Sequence, residues 1–141
     1  TSKEQIAVVN VIAPSMLLQF GFLERIAAAF ARHEVVIDMI ATSEVSVALT
    51  TDASARLEPL VAELATCSEV RVERELSLVS VVGAALQDGL EVPRRVVETL
   101  AELGVRVEMI SYGATRNNLS FVVPRARVTD VVRALHRRLF E

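Results

Sequence analysis

The chain is short of several residue types, and each shortage excludes something. Of 141 residues one is cysteine, one tyrosine, five phenylalanine and none tryptophan. A lone Cys67 excludes an internal disulfide framework and a CxxC metal knuckle. It is expected to be a buried packing residue in a reducing, cytoplasmic setting. Aromatics at 4% leave no platform for stacking bases on a sheet face. Lysine is nearly missing, since Lys3 stands beside fourteen arginines. The net charge of −3 gives no electrostatic footprint for nucleic acid. The two histidines, His33 and His136, have no second ligand at metal spacing, so neither metal nor cofactor is expected. Each falls late in a helical pattern, where a partial positive charge suits the dipole. The uncharged stretch 5–23 is about membrane length. It contains Asn10, Pro14, Ser15, Gln19 and Gly21, which are costly in lipid, and it reads as strand, loop and helix start. No membrane span and no secretory signal is expected.

What the chain has is a repeat. A slide of 70 positions places Val9, Val11 and Ile12 on Val79, Val81 and Val82, and Arg25, Ile26 and Ala27 on Arg95, Val96 and Val97. It also places Val35, Asp38, Met39 and Ile40 on Val105, Glu108, Met109 and Ile110. An insertion of three or four residues then aligns 45–47 with 119–121, and Leu57, Val61 and Leu64 with Val128, Val132 and Leu135. So long a period implies two copies of a small domain rather than a solenoid. The copies are expected at 1–75 and 76–141.

Both copies parse alike. The β-branched run 6–12 is a strand. Leu23, Ile26, Ala27, Phe30 and Ala31 recur at helical spacing. Residues 35–41 and 45–50 alternate as strands do, Leu57, Leu60, Val61 and Leu64 mark a second helix, and 70–75 is a short strand. The order βαββαβ is an α+β, ferredoxin-like sandwich with helices on one sheet face. The second copy gives strands 76–83, 105–111 and 119–123 and helices 93–103 and 128–139. Pro93 suits a first turn and Gly104 a C′ position. Its last strand is missing, and is expected from upstream of residue 1 or from another subunit. The sheet face away from the helices is expected to carry Asn10, Asp38, Ser46 and Ala48 with Val8, Val36 and Ile40. That mixture suits an interface. The loop 13–21 before the first helix can hold an anion. Asp38 beside it would make a site for a zwitterion.

The segment 16–26, MLLQFGFLERI, followed by 36–47, VIDMIATSEVSV, resembles the regulatory region of the aspartate kinases, most closely the lysine-sensitive class with a single function. The second copy matches at 109–114 and 117–123, and ALHRRLFE at 134–141 resembles that family's C-terminus. The resemblance implies tandem ACT domains, sensors of small ligands, that follow a catalytic domain absent from this chain. The chain alone is then no enzyme. It implies feedback inhibition of lysine biosynthesis through a cytoplasmic homodimer formed by ACT domains, with lysine as effector and threonine as the alternative. Carried over, the effector site takes the backbone around Met16 and Gln19, with Phe22 and Leu23 at the helix start. Ile37 and Asp38 line the strand side, and Thr42, Ser43 and Glu44 meet the far end. Asp38 would pair one ammonium and Glu44 a second. In the second copy Tyr112, Asn117 and Asn118 are possible contacts, the two asparagines reading equally as a turn before a strand. A nucleic-acid module would need aromatics on the open face, and a small phosphatase an arginine in loop 13–21; neither is present.

Overall fold

A computed structural model describes residues 1–14 and 19–141. The elements are β1 (Ser2–Ile12), α1 (Phe22–Arg32), β2 (Met39–Thr42), β3 (Ser46–Asp52), α2 (Leu57–Leu64), β4 (Glu69–Val82), α3 (Glu91–Glu102), β5 (Met109–Tyr112), β6 (Asn118–Pro124) and α4 (Val128–Phe140). They divide into one unit of Ile6–Arg74 and another of Thr1–Gln5 with Glu75–Glu141. The expected boundaries therefore shift. Thr1–Gln5 leaves the first copy for the second, and β4 is one strand where two were expected.

In the unit Ile6–Arg74 the strand order is β2-β3-β1-β4. β1 and β3 pair antiparallel with Val9 opposite Leu49 and Val11 opposite Val47. Directly opposed residues share a face, and these four join Phe22, Ile26, Ala29 and Phe30 of α1 and Leu57, Leu60 and Leu64 of α2 in one core. The helical spacing of those residues is what turns both helices onto the sheet. Each large side chain so buried contributes about 1.5–3 kcal/mol.

β2 is shorter than expected, and its faces are reversed. Met39 lies opposite Thr50 and Ala41 opposite Ala48, so they share the outer face with Val8 and Asn10. Ile40 lies opposite Leu49, on the helix side. Val35 and Ile37 also belong to the helix-side core. The in–out alternation therefore changes phase at Asp38, just before pairing begins. Sequence alternation cannot reveal such a step, because Val35, Ile37 and Ile40 are all apolar.

The second unit orders its strands β1-β4-β6-β5, with only residues 2–5 of β1 belonging to it. Thr1 and Ser80 exchange backbone hydrogen bonds of 3.0 and 2.9 Å. The strand expected from outside the chain is thus supplied by the chain's own first residues, and it precedes the rest of its unit in sequence. Val79, Val81, Leu119 and Phe121 pack with Val96, Leu100, Val131 and Leu135. Here Val79 faces Phe121 and Val81 faces Leu119, as Val9 faces Leu49 and Val11 faces Val47. The insertion between the copies is therefore two residues, not three or four, and Val47 corresponds to Leu119.

Both first helices end in the same way. Val35 N–H donates to Phe30 O and Glu34 N–H to Ala31 O; Val105 N–H donates to Leu100 O and Gly104 N–H to Ala101 O. These are Schellman caps. They need a left-handed residue, filled by Gly104 at φ 61° and by Glu34 at φ 53°. Cys67 is exposed beyond the end of α2, not buried. The apolar run it follows ends with the helix at Leu64.

Candidate functional site

The expected site residues of the first copy gather around three backbone features. The first is the start of α1, where Gly21 caps the helix at φ 74° and ψ 14°. That left-handed conformation suits glycine. Phe22 is buried in the core below it, while Leu23 is 51% exposed. The N–H groups of the first turn have no intrahelical acceptor, so they offer a positive pole. The second feature is the turn from β2 to β3. Ser43 N–H donates to Ser46 O at 2.9 Å, the two serine hydroxyls are 2.7 Å apart, and Val45 N–H donates to Ser43 Oγ at 3.4 Å. These bonds present Thr42, Ser43 and Glu44 together on the surface, all exposed. The third is the entry to β2, where Asp38 N–H donates to Thr50 O at 2.9 Å. Its carboxyl group is exposed, and Ile37 beside it is half-buried against the core.

One bond brings the strand–helix loop to the turn: Ala13 N–H donates to Val45 O at 2.9 Å. The loop therefore starts beside Ser43–Ser46. Met16 lies outside the described residues. Gln19 is exposed, and its Oε1 accepts a hydrogen bond from Arg25 Nη2 at 2.6 Å. Arg25 also stands 5.7 Å above the Phe22 ring. The side chain of Gln19 is thus engaged with α1.

Charge adds a signal that residue-by-residue reading missed. Between Ile6 and Arg74 nine carboxylates face five arginines. The other unit has nine carboxylates and ten basic residues. The first unit is therefore the one whose field favours a cationic ligand. Elsewhere in it, Arg32 and His33 at the end of α1 both bond Glu63 of α2. These bonds hold the Glu63 carboxyl below the ordinary glutamate range.

In the second copy, Tyr112 is half-buried and its hydroxyl donates to Leu86 O at 2.5 Å. Asn117 O accepts from Gly83 N–H at 3.1 Å, and its Oδ1 accepts from Thr115 Oγ1 at 2.8 Å. Asn118 Oδ1 accepts from Ser120 Oγ at 3.0 Å. Asn117 thus bonds within the turn that precedes β6, and Asn118 within the start of β6 itself. Among the described residues no three His, Cys, Asp or Glu side chains gather as a metal site requires. No helix among them is long and apolar enough to cross a membrane.

Residues 79–139 match the family model of an ACT domain. The chain is 38% identical over 135 residues to lysine-sensitive aspartokinase 3 of Escherichia coli K12, covering 90% of this chain and 30% of that protein. It superposes on a structure described as a C-terminal regulatory domain of aspartate kinase from Porphyromonas gingivalis W83. There the TM-score is 0.85 and the identity 30%, over 100% of this chain and 96% of the other. It also superposes on E. coli aspartokinase III in complex with lysine and aspartate, with a TM-score of 0.85 and 36% identity, over 99% of this chain and 32% of that one. The chain spans under a third of the length of the curated relatives it matches.

Proposed function

The chain belongs to the regulatory ACT region of the aspartate kinases, and from that premise we propose that it is an amino-acid sensor whose first copy binds lysine. The carrying observation is the cluster Asp38, Thr42, Ser43 and Glu44. It lies at the two ends of one short strand in the unit with the carboxylate excess. Thr42, Ser43 and Glu44 are at the end where the strand–helix loop leaves β1, and Asp38, expected beside that loop, is at the other end, level with Val8. In this reading the first turn of α1 and the backbone at Met16 and Gln19 hold the α-carboxylate and α-amino groups. Asp38 and Glu44 answer the two ammonium charges, and Phe22, Leu23 and Ile37 enclose the aliphatic stem. Threonine carries one ammonium where lysine carries two, so it leaves one carboxylate unanswered, which favours lysine.

The site is open on a single chain. β2 is an edge strand, and beside it Val36 is 66% and Ile40 48% exposed. Unpaired apolar edges of this kind are completed by a second strand. The proposal is therefore a homodimer through the first copies, with lysine at their junction, in the reducing cytoplasm. In the full-length protein lysine would then shift an attached aspartate kinase domain toward an inactive arrangement, which is feedback inhibition. Such a shift requires that lysine bind the inactive arrangement more tightly than the active one.

Equilibrium dialysis of the chain against labelled lysine, threonine and methionine, with its mass followed by light scattering, tests this. Lysine retention by a dimer is the expected result. Retention of threonine with none of lysine would reassign the effector. Retention of none of the three by a folded dimer would remove the sensor reading.

A further inference from the structure

The backbone frame of the first-copy site is built a second time. Ala13 N–H to Val45 O and Asp38 N–H to Thr50 O recur as Gly83 N–H to Asn117 O and Glu108 N–H to Val122 O, at 3.1 and 2.9 Å. Thr42 lies opposite Val47, and Tyr112 lies opposite Leu119. With the repeat offset of 70, Tyr112 takes the place of Thr42, Leu86 that of Met16 and Gly89 that of Gln19. Met16 and Gln19 are the loop positions whose backbone is assigned above to the effector's α-amino and α-carboxylate groups.

In the second copy those positions are already bonded. Tyr112 Oη donates to Leu86 O at 2.5 Å and lies 3.5 Å from Gly89 O. The ring packs against the core of that unit. A phenolic O–H offers one donor to a carbonyl, as an ammonium N–H does. Glu108, in the place of Asp38, is ion-paired with Arg106, where the first copy has Val36. The Leu86 carbonyl is thus hydrogen-bonded, and the Glu108 carboxylate ion-paired, from within the chain.

We propose that the second copy is an α-amino-acid site filled by its own Tyr112, whose hydroxyl takes the place of a ligand's ammonium at the loop carbonyls. The inference rests on reading the first copy as an effector site. It implies one effector per chain, and it makes Tyr112 the residue that closes a second site.

Amide shifts of the ¹⁵N-labelled chain under millimolar amino acids test it residue by residue. In the wild type, lysine is expected to move amides at 19–23 and 42–46 and to leave Leu86 and Gly89 unmoved. In Tyr112→Thr, at least one of the twenty natural amino acids is expected to move amides at 86–91. In Tyr112→Phe, which keeps the ring, none should. A folded Tyr112→Thr whose 86–91 amides respond to no amino acid overturns the proposal, as does a Tyr112→Phe that responds like Tyr112→Thr. If Tyr112→Thr does not fold, the wild type still decides. Its single phenolic proton should exchange slowly and show contacts to Leu86 and Gly89, and a freely exchanging hydroxyl overturns the plug. A wild type that shows no first-copy shifts removes the effector reading and with it the proposal that rests on it, whereas first-copy shifts with a silent, folded Tyr112→Thr overturn the proposal alone.

Discussion

Thr50 offers a quantitative test of the repeat register. It is fully buried on β3, opposite Val8 on one side and Met39 on the other. Its Oγ1 has no hydrogen-bond partner among the described residues. The two-residue insertion makes Val122 its counterpart, also fully buried and placed between Leu78 and Met109. The second copy thus shows that valine fits this position in the frame. A buried hydroxyl without a partner costs about 1–3 kcal/mol. Thr50→Val keeps the volume and the β-branching, so little packing should be lost. The expected result is a gain of about 1–2 kcal/mol. For a unit of this size about 1 kcal/mol moves Tm by roughly 4–8 °C. Urea titrations followed by circular dichroism would measure it, with an unchanged slope showing that only stability moved. The reverse change, Val122→Thr, should cost about 1–3 kcal/mol. A Thr50→Val chain that is less stable than wild type would show that the hydroxyl has a partner or that the register is wrong.

Further expectations concern the caps and the ion pairs. Gly104→Ala places a side chain at φ 61° with nothing near its Cβ. It should therefore cost only the left-handed backbone penalty of about 1–2 kcal/mol, read as a lower urea midpoint. Phe30→Ala opens the fully buried centre of the first core and should cost about 3–5 kcal/mol in the same titration. Glu91 is held at about 2 by hydrogen bonds from Arg94 and Arg95. Because its folded pKa is depressed, its contribution is complete above the ordinary glutamate range and is lost as pH falls toward about 2. Thermal melts of Glu91→Gln and wild type should therefore differ near neutral pH and converge in strong acid. A gap that widened on acidification would contradict the pairing.

The architecture was largely legible because each helix and central strand carries its own apolar period. Phe22, Ile26, Ala29 and Phe30 state one helix face, and Val9, Val11, Val47 and Leu49 one sheet face. Other parts were not legible, for physical reasons. Thr1–Gln5 is a polar stretch that becomes a strand by backbone pairing with β4, so no side-chain pattern announces it. The match of 45–47 to 119–121 is two residues out of step. A two-residue slip keeps every side chain on its own face, so alternation could not expose it. At the candidate site, the sequence named the residues through resemblance. What it could not show is that Ser43 and Ser46 tie the turn together, or that Tyr112 reaches the loop carbonyls of its own copy. Both are contacts between segments distant in pattern or, for Tyr112, in sequence.

In the proposed sensor the first copy holds lysine through Asp38. Calorimetric titration of the wild-type chain and of Asp38→Ala with lysine tests it most directly. One lysine per chain is expected, with affinity reduced about ten- to hundredfold in the variant, as for a lost charged hydrogen bond. A lysine affinity that Asp38→Ala leaves unchanged would contradict it.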